Sequence, residues 1–479
     1  MNRQQRVAHM VALVVIGACA LAVPALAQDG PEPVGLRGSP GSAADGTGQG
    51  RVAGGEAAES DGAAATITKA ARDPQLVIWT DALKNYMPSA AHNTMHDEFI
   101  VGWTTQQDQW SHDIWARRLR PDGTLLEYFN VANAGGELLV EPEIAYCPPH
   151  DEYLIAYTNW YDNSGDRADV QARLVRWDGG WMSSVITITP GVAVHYQPSI
   201  AYCGPCDEYV VTYTNYWITA VNTLYAQRIS ADDGALLGMN LVASGGVWEP
   251  GFSSIAFQPA AYGGDGGYLI AYRVITGSSV GKFSYKMAQT DLSDVTSNPA
   301  LDLSSLTLPC ATPRVAAGQT GFLAAWWEET GGGTFRVRAR RISAEGVALG
   351  PPEGIAVSGE YATNPTWYFK LGVTYAYPGL YLVLWEHRTP GGIVEIHGIF
   401  VSEDADTTVG DEAVLSGTGT NMAAPAAICS PMSDCLFACE WWNTQTNSWD
   451  IAGDIALLVV IFEDGFEFGG TTAWSATVP

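Results

Sequence analysis

Carboxylates are the most numerous side chains in this chain that could do chemistry, 51 among 479 residues. Glu328-Glu329 and Glu386 each directly follow an aromatic-rich run, and paired carboxylates can serve as acid and base on a glycosidic bond. At this acidic content, neighbouring carboxylates also arise by chance. His92-x-x-x-His96 has a spacing that would share a helix face. It falls in an expected turn, however, and lacks the Glu of a zinc protease. Cys203-Gly-Pro-Cys206 has no second pair at metal spacing, and the pattern reads as a staple across a turn. Asp162-Asn-Ser-Gly-Asp166 offers calcium-type oxygens without the order of an EF-hand, so a solvated loop is expected and no cofactor. Neither a Gly-x-Ser-x-Gly elbow nor a phosphate-cradling Gly-x-x-x-x-Gly-Lys occurs.

Aromatic residues form the other candidate constellation. Trp110, Trp160, Tyr161, Tyr216, Trp217, Trp442 and Trp449 stand among Asn, Asp, Gln and Thr. Rings beside amides and carboxylates suit the apolar faces and hydroxyl edges of sugars, and equally suit protein interfaces. The same rings could instead pack elements together.

What must position these residues is a repeat. An aromatic, three mostly apolar residues and a Trp or Tyr recur at Phe99–Trp103, Tyr153–Tyr157, Tyr209–Tyr213, Tyr268–Tyr272, Phe322–Trp326, Tyr381–Trp385 and Phe437–Trp441. The first positions step by 54, 56, 59, 54, 59 and 56 residues, a period that marks a repeat architecture. Within each copy, period-two alternation gives a strand, and both of its faces are apolar, so it is buried on both sides. A short segment, often opened by Pro, precedes it: Pro88, Pro142, Pro198, Pro259, Pro313, Pro365 and Pro425. A third strand with a small residue at its centre follows, as in Val170-Gln-Ala172, then a weaker outer strand. Four short antiparallel strands repeated seven times describe an all-β, seven-bladed β-propeller spanning 75–460. The spare strand near residues 75–80 is expected to pair into the seventh blade and close the ring, leaving no long free edge. The seven aromatic-flanked strands are then blade core.

The termini carry different signals. Residues 1–27 read as a signal peptide: Arg3 and Arg6, an apolar run from Met10 to Val23, and Ala25-Leu-Ala27. Residues 28–74, rich in Gly, Ala and Pro, read as a disordered linker. Export implies an oxidising compartment, with Cys429 and Cys435 as the best local disulfide and Cys203 with Cys206 the next. The net charge of −27 argues against nucleic acid or an anionic membrane surface as partner. No membrane insertion is expected, and a monomer is.

The tail 461–479 contains Asp464-Gly-Phe-Glu467 and Trp474-Ser475. It resembles the C-terminal tails of many exported proteins of Gram-negative bacteria, and the resemblance implies a sorting or attachment signal. The repeats resemble those of uncharacterised secreted propeller proteins. Sialidase-type Ser-x-Asp-x-Gly-x-x-Trp turns have no complete copy here; Ser230-Ala-Asp-Asp-Gly-Ala-Leu-Leu237 lacks the Trp. The expected function is a non-catalytic binding or adhesion module, not an enzyme, whose loop face takes polysaccharide or extracellular protein. The alternative is a glycoside-active enzyme with carboxylates in the central channel. What separates the two is whether the channel mouth converges carboxylates, or only aromatics and amides.

Overall fold

The computed structural model describes residues 64–69 and 76–461, apart from residues 134, 162–166, 192, 217–221, 245–248, 276–280, 305–307, 310–312, 332–333, 362–369, 377–378, 417–420 and 432–433. The expected signal peptide, the Asp162–Asp166 loop, Pro365 and the tail therefore lie outside the described residues.

The central strand of the second repeat shows how a repeat folds. Tyr153, Leu154, Ile155, Ala156 and Tyr157 are all fully buried. Tyr153, Ile155 and Tyr157 pack towards the first repeat, against Ile100, Ile114 and Val131 among others. Leu154 and Ala156 pack towards the third, against Tyr209, Val211 and Tyr213. A sheet covered on each face by its neighbours needs both faces apolar, which accounts for the double pattern. The small third-strand residues follow suit: Ala116, Ala172 and Ala339 pair with Gly102, Ala156 and Ala325.

The fold is all-β, with one short 3-10 turn at Ala261–Gly264 among the described residues. Each repeat runs as an antiparallel meander, for example Leu138–Cys147, Glu152–Trp160, Ala168–Arg176 and the short Ile186–Thr187. The first strands of successive repeats lie side by side. In order they are Lys84–Asn93, Leu138–Cys147, Val194–Cys203, Glu249–Gln258, Arg314–Ala317, Gly372–Ala376 and Met422–Cys429, and the last lies beside the first. Leu76–Trp79 pairs antiparallel with Ser448–Ile461 of the seventh repeat. Arg117 fixes it further, donating to the Ile78 carbonyl at 2.9 Å.

Most first strands carry a bulge. Met87, Glu141, Gln197, Phe252 and Ala424 sit at φ between +52° and +59°, each where the register shifts against the central strand. Four of the five precede Pro, which bars the right-handed helical alternative and cannot donate to the ladder. In four of the five, the N–H of the bulged residue is satisfied from the previous repeat. Phe252 donates to Thr214 Oγ1 (3.0 Å) and Gln197 to Thr158 Oγ1 (3.1 Å). Ala424 donates to Glu386 Oε1 (2.6 Å) and Met87 to Glu440 Oε1 (2.9 Å).

At the opposite end, turns of neighbouring repeats are latched together. Asp151 accepts from Tyr146 (2.8 Å) and meets His96 of the preceding repeat (2.8 Å); Asp207 accepts from Tyr202 (2.9 Å) and meets His150 (2.8 Å). His92 faces Asp97 instead, so the two histidines of His92-x-x-x-His96 diverge to separate carboxylates.

Three expectations are corrected. In the seventh repeat the aromatic positions are held by Cys435 and Cys439, not Phe437 and Trp441. Ala438 pairs with the small residue Gly453, and Cys435, Phe437 and Cys439 together face the sixth repeat. Pro259 follows the first strand of the fourth repeat rather than opening it; Pro250 lies within that strand. The linker expected to reach residue 74 contains a strand, Ala64–Lys69, paired with Ala456 to Ile461; the three consecutive β-branched residues Thr66-Ile-Thr68 suit an added strand.

Candidate active site

The residue after the bulge points into a central cavity of about 400 Å³ lined by the first strands of all seven repeats. Register fixes equivalent positions around it. Ser89, Glu143, Ser199, Ser254, Arg314, Gly372 and Ala426 lie opposite Gly102, Ala156, Thr212, Ala271, Ala325, Leu384 and Ala438 of the central strands. Five of these side chains are small. The other two, Glu143 of the second repeat and Arg314 of the fifth, are joined by an ion pair of 2.8 Å. Ser89 donates to the other oxygen of Glu143 at 3.4 Å.

Ionisable groups cluster around that pair. Two residues earlier on the same strand, Glu141 accepts from Thr158 Oγ1–H (3.0 Å) and the Gln197 N–H (3.2 Å). Burial nevertheless pushes its carboxyl up, and the neighbouring charge of Glu143 adds to this. Glu440, 4% exposed, is pushed up to about 7 by burial, against the Met87 hydrogen bond and the Lys84 charge. The Lys370 ammonium donates to the Pro88 carbonyl. Burial lowers it to about 8, while Glu143, Glu440 and Glu141 act to keep it charged. Glu143, Arg314 and Lys370 are partly buried and line the cavity, while Glu141, also partly buried, lies outside that lining. The arrangement offers one carboxyl prone to hold its proton, a second paired with a guanidinium, and an amine beside both.

The expected binding aromatics lie at the strand ends nearest Glu141, but they do not form one platform. Trp110 is 38% exposed in the first repeat. Trp160 lies against Tyr196 (6.3 Å), which meets Phe252 edge-on, and Tyr216 packs on the same cluster. Tyr161 sits under Arg167 and accepts from Gln171 at 3.1 Å. Trp442 and Trp449 are a T-shaped cross-strand pair in the seventh repeat. Trp217 lies outside the described residues. Of the acidic candidates, Glu328 is bound to Arg338, away from the cavity lining. Cys203–Cys206 and Cys429–Cys435 are both disulfides, as expected, while Cys147 and Cys439 are buried thiols.

Glu141, Glu143, Arg314, Lys370 and Glu440 were missed in the sequence. The available signal was the recurring Pro: the residue after Pro142 and after Pro313 is the one that enters the cavity.

No protein-family model matches the chain, and no curated protein matches it in sequence. Solved structures share its fold at low identity. A protein of unknown function from Dyadobacter fermentans is 11% identical, with a TM-score of 0.50 over 83% of this chain and all of that one. An α-L-arabinanase of Penicillium chrysogenum is 11% identical, with a TM-score of 0.45 over 81% of this chain and 98% of that one. An α-L-arabinofuranosidase of Fusarium graminearum is 9% identical, with a TM-score of 0.44 over 80% and 96%. The expectation of a non-catalytic binding module, and of a chain that is no enzyme, is corrected by the charged groups at the cavity. The cavity wall carries the Glu143 carboxylate with Arg314 and Lys370, and Glu141 and Glu440 lie close enough to act on Lys370, so the channel does not present aromatics and amides alone.

Proposed function

We propose that this is an exported seven-bladed β-propeller, its ring closed by Leu76–Trp79, that hydrolyses glycosidic bonds of a polysaccharide in its central channel. The observation that carries the reading is the unequal pair on one strand. Glu141 is raised by burial and stands ready to donate a proton to the glycosidic oxygen. Glu143, tied to Arg314, supplies the second carboxylate that displacement at the anomeric carbon requires. A carboxyl raised by burial beside a second one held in an ion pair fits the general pattern of an acid with a partner base or nucleophile. Lys370 and Arg314 offset the negative charge gathered there. The two disulfides fit the export that residues 1–27 would direct.

The test is release of reducing sugar from a panel of polysaccharides and aryl glycosides by the full chain. Glu141→Gln and Glu143→Gln should each lower kcat by at least about 100-fold, since each removes a group required in the transition state. Turnover undiminished in both variants, or no turnover on any member of the panel, would overturn the assignment.

A further inference from the structure

On the sixth repeat, away from the channel, three ligand atoms of the kind that hold a transition metal converge. His387 ends the central strand Leu380–Arg388; Glu395 and His397 lie on its hairpin partner Val394–Ser402, with Glu395 opposite His387. His387 Nδ1 lies 3.1 Å from His397 Nε2, and His397 Nε2 lies 3.4 Å from Glu395 Oε2. All three atoms are within 4.8 Å of one another. We propose that they form a site for a zinc-class divalent ion, independently of the glycosidase reading.

The spacing is that of a tetrahedral coordination shell. Metal–ligand bonds of about 2.0–2.1 Å put neighbouring ligand atoms about 3.3–3.4 Å apart, close to the two separations observed. The groups behind the ligands aim them. His397 Nδ1 faces Glu412 Oε1 at 2.5 Å, so its N–H points away from the site and the Nε2 lone pair points in. The ring of His387 stacks on Tyr361 (centroids 4.2 Å apart). Tyr361 donates to Glu412 at 3.0 Å and accepts from Trp385 Nε1–H at 3.2 Å. Both imidazoles are thus held by partners outside the site. His397 is buried while His387 and Glu395 are partly exposed, which leaves a route for the ion and a fourth position for water.

A metal ion would draw both lone pairs and the carboxylate oxygen to one point; without one, His387 can carry its proton on Nδ1 and donate to His397 Nε2. The rival occupant is therefore a proton, either this one or one on His397 Nε2, which would give an imidazolium between Glu395 and Glu412. A second grouping, Cys147, His150 and Asp207, has a different explanation. Asp207 is occupied there by Tyr202 and His150, and the same Tyr–Asp–His latch recurs at Tyr146, Asp151 and His96 without a thiol.

The experiment is titration of the chelator-treated full chain with Co²⁺, read by visible absorption, and with Zn²⁺, read by calorimetry. One equivalent should bind with the intense bands of tetrahedral cobalt. His387→Ala and Glu395→Gln should abolish those bands, and Glu412→Gln should weaken binding about 10–100-fold. His150→Ala should leave binding intact. Far-ultraviolet dichroism checks that each variant folds, and His387→Ala, at a strand end, serves if a His397 variant does not. Absence of saturable binding would overturn the proposal in favour of the proton, as would binding that survives both His387→Ala and Glu395→Gln.

Discussion

Glu440→Gln should make stability less dependent on pH. The Glu440 side chain is almost fully buried, and its Oε1 accepts the Met87 N–H at 2.9 Å. Gln keeps a carbonyl oxygen for that bond and removes the charge. In the folded chain the carboxyl is raised from 4.5 to about 7, burial being the main cause. Between those two values the folded state keeps a proton that the unfolded state has released. The unfolded state therefore binds fewer protons, and wild-type stability falls as pH rises through this window, with the full penalty present above 7. A shift of about 2.5 units at 1.36 kcal/mol each gives about 3 kcal/mol. Below pH 4.5 both states are protonated and the penalty vanishes. Guanidinium unfolding of both proteins at pH 4.5 and pH 8, disulfides intact, reads the effect. The variant should gain about 3 kcal/mol on the wild type between the two conditions. A gap between the proteins that is the same at both pH values, within about 0.5 kcal/mol, would refute a buried, proton-holding Glu440.

Further outcomes follow from the repeat. Tyr157→Ala should cost about 3–5 kcal/mol in chemical denaturation, whereas Trp441→Ala, at a partly exposed position outside the aromatic series, should cost clearly less. Thr214→Val removes the acceptor of the Phe252 N–H without changing shape, and a loss of about 1–3 kcal/mol in the same assay is expected for a buried donor left alone. Replacing Cys429 and Cys435 together by Ser should lower stability by about 2 kcal/mol, the chain-entropy value for a short loop.

The core was legible because its cause is local. A strand covered on both faces must be apolar at every position, and Tyr153 to Tyr157 states this without help from the rest of the chain. The seventh copy misled because Phe437 and Trp441 reproduce the five-residue spacing two positions late. Cysteines stand in the true places, one of them tied into the Cys429–Cys435 disulfide and the other packed as a small apolar group. The channel was not legible, for two reasons. A bulge with positive φ breaks period-two alternation, so the residue that enters the cavity cannot be read by counting across Pro142. And Arg314 meets Glu143 over 171 residues of separation, a meeting set by the arrangement of repeats alone.

The repeat itself argues that the channel charges are not scaffold. Bulged N–H groups are capped by Thr158 and Thr214 in the second and third repeats, hydroxyls that desolvate at modest cost. In the sixth and seventh repeats the same job falls to Glu386 and Glu440, whose burial costs far more and gains no better cap. At the cavity positions, five repeats manage with Ser, Gly or Ala, while the second and fifth place Glu143 and Arg314 there. A closed scaffold needs none of these four departures. All four introduce charge, Glu386 and Glu440 each raise the other's neighbourhood in negative potential, and Lys370 couples Glu440 to Glu143 and Glu141. These costly exceptions to a cheaper repeated solution set the four positions apart from the rest of the repeat, and the proposed glycosidase chemistry would account for them.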